Sequence, residues 1–232
     1  MEHLTFDLRE SSVREINQTL HRPVSKDVDL RVTIDHPDGA HNLAVGLHAP
    51  WHVHIRGHAG YYAAGMNQDA TVQIDGSAGT GLAENMMSGR VHVRGFASNS
   101  AGASAHGGLL IIDGDAGLRC GISLKGADIV VGGSVGSFSA FMAQAGRMVV
   151  CGNAGDAFGD SLYEAVLYVR GKVASLGADA QEEPMQDADY QAVDTLLRAA
   201  GADYRHHDAQ QFRRFGSARK LYHWNADARH SY

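Results

Sequence analysis

The chain is short of cysteine and proline, has no long apolar run and carries no excess of positive charge. Two cysteines in 232 residues, Cys120 and Cys151, cannot build a disulfide framework and fit reduced thiols in a cytoplasmic protein. Four prolines beside 28 glycines exclude a proline-rich linker. No stretch approaches the roughly 18 apolar residues of a membrane span. The opening residues, Met1 to Asp7, lack the basic patch and apolar run of a signal peptide. A formal net charge of −6 leaves no electrostatic footprint for nucleic acid. A cytoplasmic protein without nucleic-acid or membrane partners is expected.

The abundant glycine is ordered. Gly57, Gly76, Gly95, Gly114, Gly133, Gly152 and Gly171 stand 19 residues apart without a slip. Each follows a short β-rich run, such as Val53-His54-Ile55-Arg56, Val91-His92-Val93-Arg94 or Met148-Val149-Val150-Cys151. Two places after each glycine stands a small residue: Ala59, Ala78, Ala97, Ala116, Val135, Ala154 and Val173. A 19-residue unit is too short for a pair of helices, and its apolar positions alternate with period 2. Such units stack as parallel coils, each strand paired with its counterpart one repeat on. The recurring glycine supplies a corner that is either left-handed or too closely packed for a Cβ. Hexapeptide, calcium-binding nonapeptide and leucine-rich patterns are absent from the repeat. Val32-Thr33-Ile34-Asp35, 21 residues before Val53-His54-Ile55-Arg56, predicts one irregular coil ahead of the seven.

Stacking turns the repeat into columns. Val53, Val72, Val91, Leu110, Ile129, Met148 and Leu167 form one inward column, and Ile55, Ile74, Val93, Ile112, Val131, Val150 and Val169 the other. An outward column, Arg56, Asp75, Arg94 and Asp113, alternates in sign, so each arginine should find an acid on the next rung. The second outward column is polar at His54, Gln73 and His92, then apolar at Ile111, Val130 and Val149, ending in Tyr168. That stripe needs a cover, either the chain's own tail or another subunit.

Both ends are atypical. Ser12 and Glu15 predict a capping box for a helix presenting Val13, Ile16 and Leu20. After the last coil, an acidic linker (Asp179 to Asp189) leads to a helical stripe of Tyr190, Val193, Leu197 and Ala200, stopped by Gly201. Residues 202–232 mix Arg213, Arg214 and Arg219 with Tyr204, Phe212, Phe215, Tyr222, Trp224 and Tyr232. Arginine among aromatics in a polar segment is the composition of an interface anchor. The tail and stripe are therefore expected to serve assembly, against the plainer alternative of a tail folded on its own solenoid. The expected fold class is all-β: a right-handed parallel β-helix of about seven to eight 19-residue coils. The division is a capping segment at 1–30, the β-helix at 31–177, and linker, helix and tail at 178–232.

Little in the sequence reads as chemistry. His52 and His54 share a strand face, His58 follows the corner and His206-His207 lie in the tail, but no carboxylate or thiol stands at ligand spacing. Cys120 and Cys151 fall in different phases of the repeat, which gives no iron–sulfur set. Gly79-Thr80-Gly81 lacks a third glycine before Glu84 and lies at a coil corner, so it is no dinucleotide fingerprint. No catalytic, cofactor-binding or metal-binding residue is assigned.

The coils from Gly79 to Gly95 (GTGLAENMMSGRVHVRG) and from Gly107 to Gly117 (GGLLIIDGDAG) resemble the C-terminal glycine-repeat (GXGXG) domain of the glutamate synthase large subunit. The resemblance runs over roughly residues 10–180, with Arg14 to Leu20 where that family has a helix before the solenoid. A free-standing chain of this length, with Phe215-Gly216-Ser217-Ala218-Arg219-Lys220-Leu221-Tyr222-His223 near its end, looks like the β-helix subunit of N-methylglutamate synthase and its relatives. The resemblance implies a non-catalytic subunit of a complex making N-methylglutamate from glutamate and methylamine. Its implied partners are a class II glutamine amidotransferase-like subunit and a glutamate-synthase-like subunit holding FMN and an iron–sulfur cluster, with no cofactor in this chain. The same domain occurs in formylmethanofuran dehydrogenase and formyltransferase complexes, which is one alternative. An autonomous carbohydrate-active β-helix enzyme is another, and it would need acids and bases clustered on an outward sheet.

Overall fold

The computed structural model describes residues 2–23 and 30–219. One eleven-stranded sheet dominates it. Its strands are β1 (Glu2–Asp7), β2 (Leu30–Asp35), β3 (His52–Arg56), β4 (Thr71–Ile74), β5 (Arg90–Val93), β6 (Leu109–Ile112), β7 (Lys125–Val131), β8 (Ala145–Val150), β9 (Val166–Val169), β10 (Ala180–Glu183) and β11 (Arg213–Ser217). From β1 to β9 every neighbour pairs in parallel and in sequence order. The pairing follows the repeat: Val53 lies beside Val72, Val72 beside Val91, and Met148 beside Leu167. The chain is a parallel β-solenoid, and both inward columns are buried along its length. The irregular early coil is real, since Val32 and Ile34 of β2 pair with Val53 and Ile55 of β3.

The corner glycines are in ladder contact with each other. Gly76 N–H donates to the Gly57 carbonyl at 2.9 Å, Gly95 to Gly76 at 3.0 Å, and Gly152 to Gly133 at 2.8 Å. A Cβ on Gly76 would lie 2.6 Å from the Gly57 carbonyl group, and one on Gly114 would lie 2.9 Å from the Gly95 oxygen. Apart from Gly57, at φ +142°, none of these seven glycines has a positive φ. Of the two reasons for a corner glycine, close packing is the one that operates. The small residues two places on form a one-residue-wide bridge ladder, from Ala59–Ala78 to Ala154–Val173.

Between this ladder and the next strand the backbone adopts a second, less visible repeat. Residues 62, 64 and 66 have positive φ, as do their counterparts 19 residues on through 157, 159 and 161. Most are not glycine: Tyr62, Ala83, Asn85, Ser104, Arg119 and Phe138 are among them. Left-handed backbone costs an L-residue about 1–2 kcal/mol. The alternation offsets that cost by aiming successive donors at opposite neighbours: Tyr62 and Met66 N–H reach the Thr80 and Glu84 carbonyls of the next coil, while Ala64 N–H reaches Leu43 of the preceding one.

The two ends are closed differently. α1 (Val13–Leu20) has the expected capping box, with Glu15 N–H donating to Ser12 Oγ and Ser12 N–H to Glu15 Oε2 at 2.7 Å. Ile16 and Leu20 are buried in the solenoid core. Ahead of α1, β1 adds a strand where the sequence suggested only a capping helix. At the other end the chain reverses. β11 runs antiparallel beside β9, and β10, formed inside the acidic linker, runs antiparallel beside β11. Phe215 of β11 packs edge-on against Phe158, ring centres 6.0 Å apart, and plugs the core.

Gly114→Ala should lower the free energy of unfolding by about 2 kcal/mol or more, because the added methyl meets backbone instead of a movable side chain. Gly39→Ala, in open space at φ +76°, should cost only the left-handed penalty of about 1 kcal/mol. Equal losses in denaturant titrations of the two variants would contradict the packing account.

The outward faces of the sheet

The outward sheet face is divided at β5. Beyond it, Ile111, Val130 and Val149 are fully buried and Tyr168 nearly so. Their cover is α2 (Asp187–Ala200), which lays Val193, Leu196, Leu197 and Ala200 on the stripe, with Tyr204 and Phe212 completing a second core. The lengths match: 14 residues of helix span about 21 Å, and the four rung spacings from β9 to β5 span about 19 Å. Each end of α2 is tied to the sheet. At its N-terminus Asp189 accepts from Tyr168 Oη at 2.8 Å and Arg214 Nε at 3.1 Å. At its C-terminus Arg90 donates to the Ala199 and Ala200 carbonyls at 2.8 and 3.2 Å, favourable placement for a cation at the negative end of a helix dipole.

This corrects the expectation that the stripe and tail aromatics await another subunit. Phe212 is buried under α2, Phe215 is buried in the solenoid core, and Tyr204 donates to Asp113 Oδ1 at 2.8 Å. Arg213, Arg214 and Arg219 pair with Glu182, Glu183 and Asp179 of the same chain. An arginine–aromatic segment carries the same composition whether its groove belongs to a partner or to itself, and here it belongs to itself. Tyr222, Trp224 and Tyr232 lie outside the described residues.

Asp113 is the hub at the dividing line. It accepts from His92 Nε2 at 2.8 Å and from Arg94 at 3.2 Å, besides Tyr204. Burial opposes its ionisation, but the hydrogen bonds from His92 and Tyr204 and the nearby charges outweigh this and hold its carboxyl below the usual range. The expected arginine–acid ladder is only partly formed. Arg94 reaches Asp113 on the next rung, but Arg56 turns back to Asp35, and Asp75 is held by His54 at 2.7 Å and Gln73 at 2.9 Å.

From β1 to β4 the outward face is bare and polar. His3, Arg31, Thr33, His52, His54, Thr71 and Gln73 line a shallow groove of about 310 Å³. It carries hydrogen-bonding side chains and no carboxylate in its lining, whereas glycoside hydrolysis uses two. The groove suits recognition of a polar surface. A second hollow of about 370 Å³ lies between α2 and the turn after it, lined by Asp194, Leu197, Arg198, Tyr204, Arg205 and His207.

The remaining candidates have local duties. His58 Nδ1 accepts the Ser77 N–H at 2.9 Å across one rung. His206 stacks on His207 at 4.0 Å, and Arg170 donates to His207 Nδ1 at 2.8 Å. Gly79 packs on the Gly60 backbone as one more corner. Among the described residues no three His, Cys, Asp or Glu gather where they could hold a metal ion. Cys120 lies in the solenoid core and Cys151 beneath Tyr204, and burial pushes both thiols up to about 12. Two cysteines in separate cores do not make the four-ligand set of an iron–sulfur cluster. No described helix is long and apolar enough to cross a membrane.

Fold and surface together define a parallel β-solenoid with a self-covered apolar flank and an open polar one. A stretch of 85 residues is 51% identical to Protein GlxC of Rhizobium meliloti (strain 1021), covering 37% of this chain and 37% of that one. No family model and no solved structure matches the chain.

If α2 is held by its own solenoid, Leu197→Ala should destabilise the chain purified alone by about 2–5 kcal/mol. No change in its denaturant midpoint would mean that the helix is held elsewhere. Burial, with the positive charges of His206 and Arg170, pushes the His207 imidazole from about 6.5 down to about 4. Between those pH values the unfolded chain takes up a proton that the folded chain refuses, so this contribution to stability is lost as pH falls from 6.5 toward 4. His207→Asn, which keeps an acceptor for Arg170, should flatten the fall in melting temperature between pH 7 and pH 4.5. A slope identical to wild type would exclude His207 as its source.

Proposed function

We propose that this chain is a non-catalytic structural subunit of a glutamate-synthase-like enzyme complex, and specifically of one forming N-methylglutamate from glutamate and methylamine. One observation carries the reading: an unbroken register of seven glycine-cornered coils in a parallel β-solenoid, the arrangement that the resemblance to the glycine-repeat domain predicts. The partial identity with Protein GlxC is compatible with it. In this reading the chain bridges a class II amidotransferase-like subunit, which liberates ammonia from glutamine, and a subunit carrying FMN and an iron–sulfur cluster. The solenoid contributes rigidity and fixed spacing, because each rung is tied to its neighbours by backbone hydrogen bonds along its length. The polar face of β1–β4 is the surface offered to those partners, since α2 already occupies the apolar half.

Co-expression with the proteins encoded beside it, followed by affinity capture of this chain, should recover both partners and glutamine- or methylamine-dependent synthesis of a glutamate derivative. The chain purified alone should show neither turnover nor a visible chromophore. Capture of no partner from that co-expression, or a stoichiometric flavin in the lone chain, would refute the proposal.

A further inference from the structure

The hollow of about 370 Å³ between α2 and the turn after it has charges that do not balance. Asp194 is the one carboxylate among its lining residues, and Arg198 Nε lies 2.8 Å from its Oδ2. Arg205 lines the same hollow, and no described residue pairs with its guanidinium. The other acids of the turn are engaged elsewhere. Asp203 lies 3.4 Å from Arg94, and Asp208 Oδ1 accepts the Gln210 N–H at 2.9 Å. The last carbonyls of α2, the negative end of its dipole, already accept from Arg90. A surplus of positive charge therefore remains on the lining. His207 adds a donor to it. Arginine can only donate, so the bond from Arg170 Nη1 to His207 Nδ1 at 2.8 Å puts the proton of the neutral ring on Nε2. Among the described residues nothing accepts that Nε2–H.

We propose that this hollow binds a small molecule through an oxyanion, a carboxylate or a phosphate, held by the Arg205 guanidinium and the His207 Nε2–H. The planar fork of an arginine matches either group with two parallel hydrogen bonds. The volume lies at the lower end of the roughly 300–1,000 Å³ of small-molecule sites, which suits a short ligand. Leu197 and the Tyr204 ring offer its carbon atoms an apolar wall, because the Tyr204 hydroxyl is committed to Asp113. The ligand's charge would relieve a local cost. Burial and the charges of His206 and Arg170 hold the His207 imidazole down at about 4. An anion beside Nε2 favours the imidazolium instead. Binding therefore takes up a proton and strengthens as pH falls from 6.5 toward 4.

The full chain, titrated calorimetrically at low ionic strength with inorganic phosphate and separately with glutarate, should saturate with a dissociation constant of about 1 mM or below. Saturation by phosphate alone assigns a phosphate ligand, by glutarate alone a carboxylate, and by both the oxyanion chemistry they share. Arg205→Ala should weaken binding about tenfold or more while leaving the melting temperature unchanged, since the guanidinium holds nothing in the chain. Arg119→Ala removes an equally exposed arginine from the coil turn after β6 and should bind like wild type, which separates a built site from general charge attraction. A second reading needs no variant. Followed by nuclear magnetic resonance at constant ionic strength, the His207 titration should move upward from about 4 when the binding anion replaces chloride. Saturation by neither anion, undiminished binding in Arg205→Ala, an equal loss in Arg119→Ala, or a His207 titration that stays in place would overturn the proposal.

Discussion

The structure depends on one contact, a peptide group stacked directly on the peptide group of the next coil at the corner after each strand. Gly76, Gly95, Gly114, Gly133, Gly152 and Gly171 donate in series, each N–H to the carbonyl of the corner glycine one coil before it, starting from Gly57. The rung spacing of about 4.8 Å that β-pairing imposes leaves no room for a Cβ there. Seven glycines therefore recur at 19 residues, and the inward columns of Val, Ile, Leu and Met are held in register by backbone that cannot slide. The left-handed columns at residues 62–66 and their repeats serve the same end by sending alternate donors up and down the stack.

A solenoid built this way has two flanks and two ends to satisfy, and the chain handles them unequally. The outward face beyond β5 is apolar and is covered by α2, whose ends are fixed by Asp189 and Arg90. Before β5 the same columns are polar and remain open. The cover is as long as the stripe, and the change from polar His92 to apolar Ile111 marks the rung where α2 stops. The covered and the open parts are thereby separated along one sheet, with Asp113 joining the two halves through His92, Arg94 and Tyr204. The C-terminal end is sealed by a reversed strand that buries Phe215, and the N-terminal end by α1, which buries Ile16 and Leu20.

The sequence alone determined the parallel solenoid, the strand register, the inward columns, the Ser12–Glu15 cap and the existence of a stripe needing a cover. Those features rest on contacts between residues at a constant separation, so a repeat of 19 states them directly. Only the tertiary structure decided which surface covers the stripe, because Leu197 and Phe212 meet Ile111 and Tyr168 across separations that follow no period. It also decided the strands β1, β10 and β11, whose partners are chosen by position and not by local propensity; Ala180–Glu183 reads as linker until β11 lies beside it. The left-handed columns stayed hidden for a related reason. Tyr62, Ala83 and Phe138 are poor advertisements for positive φ, and what holds them there is the donor and acceptor of the neighbouring coils, which exist only once the stack has formed.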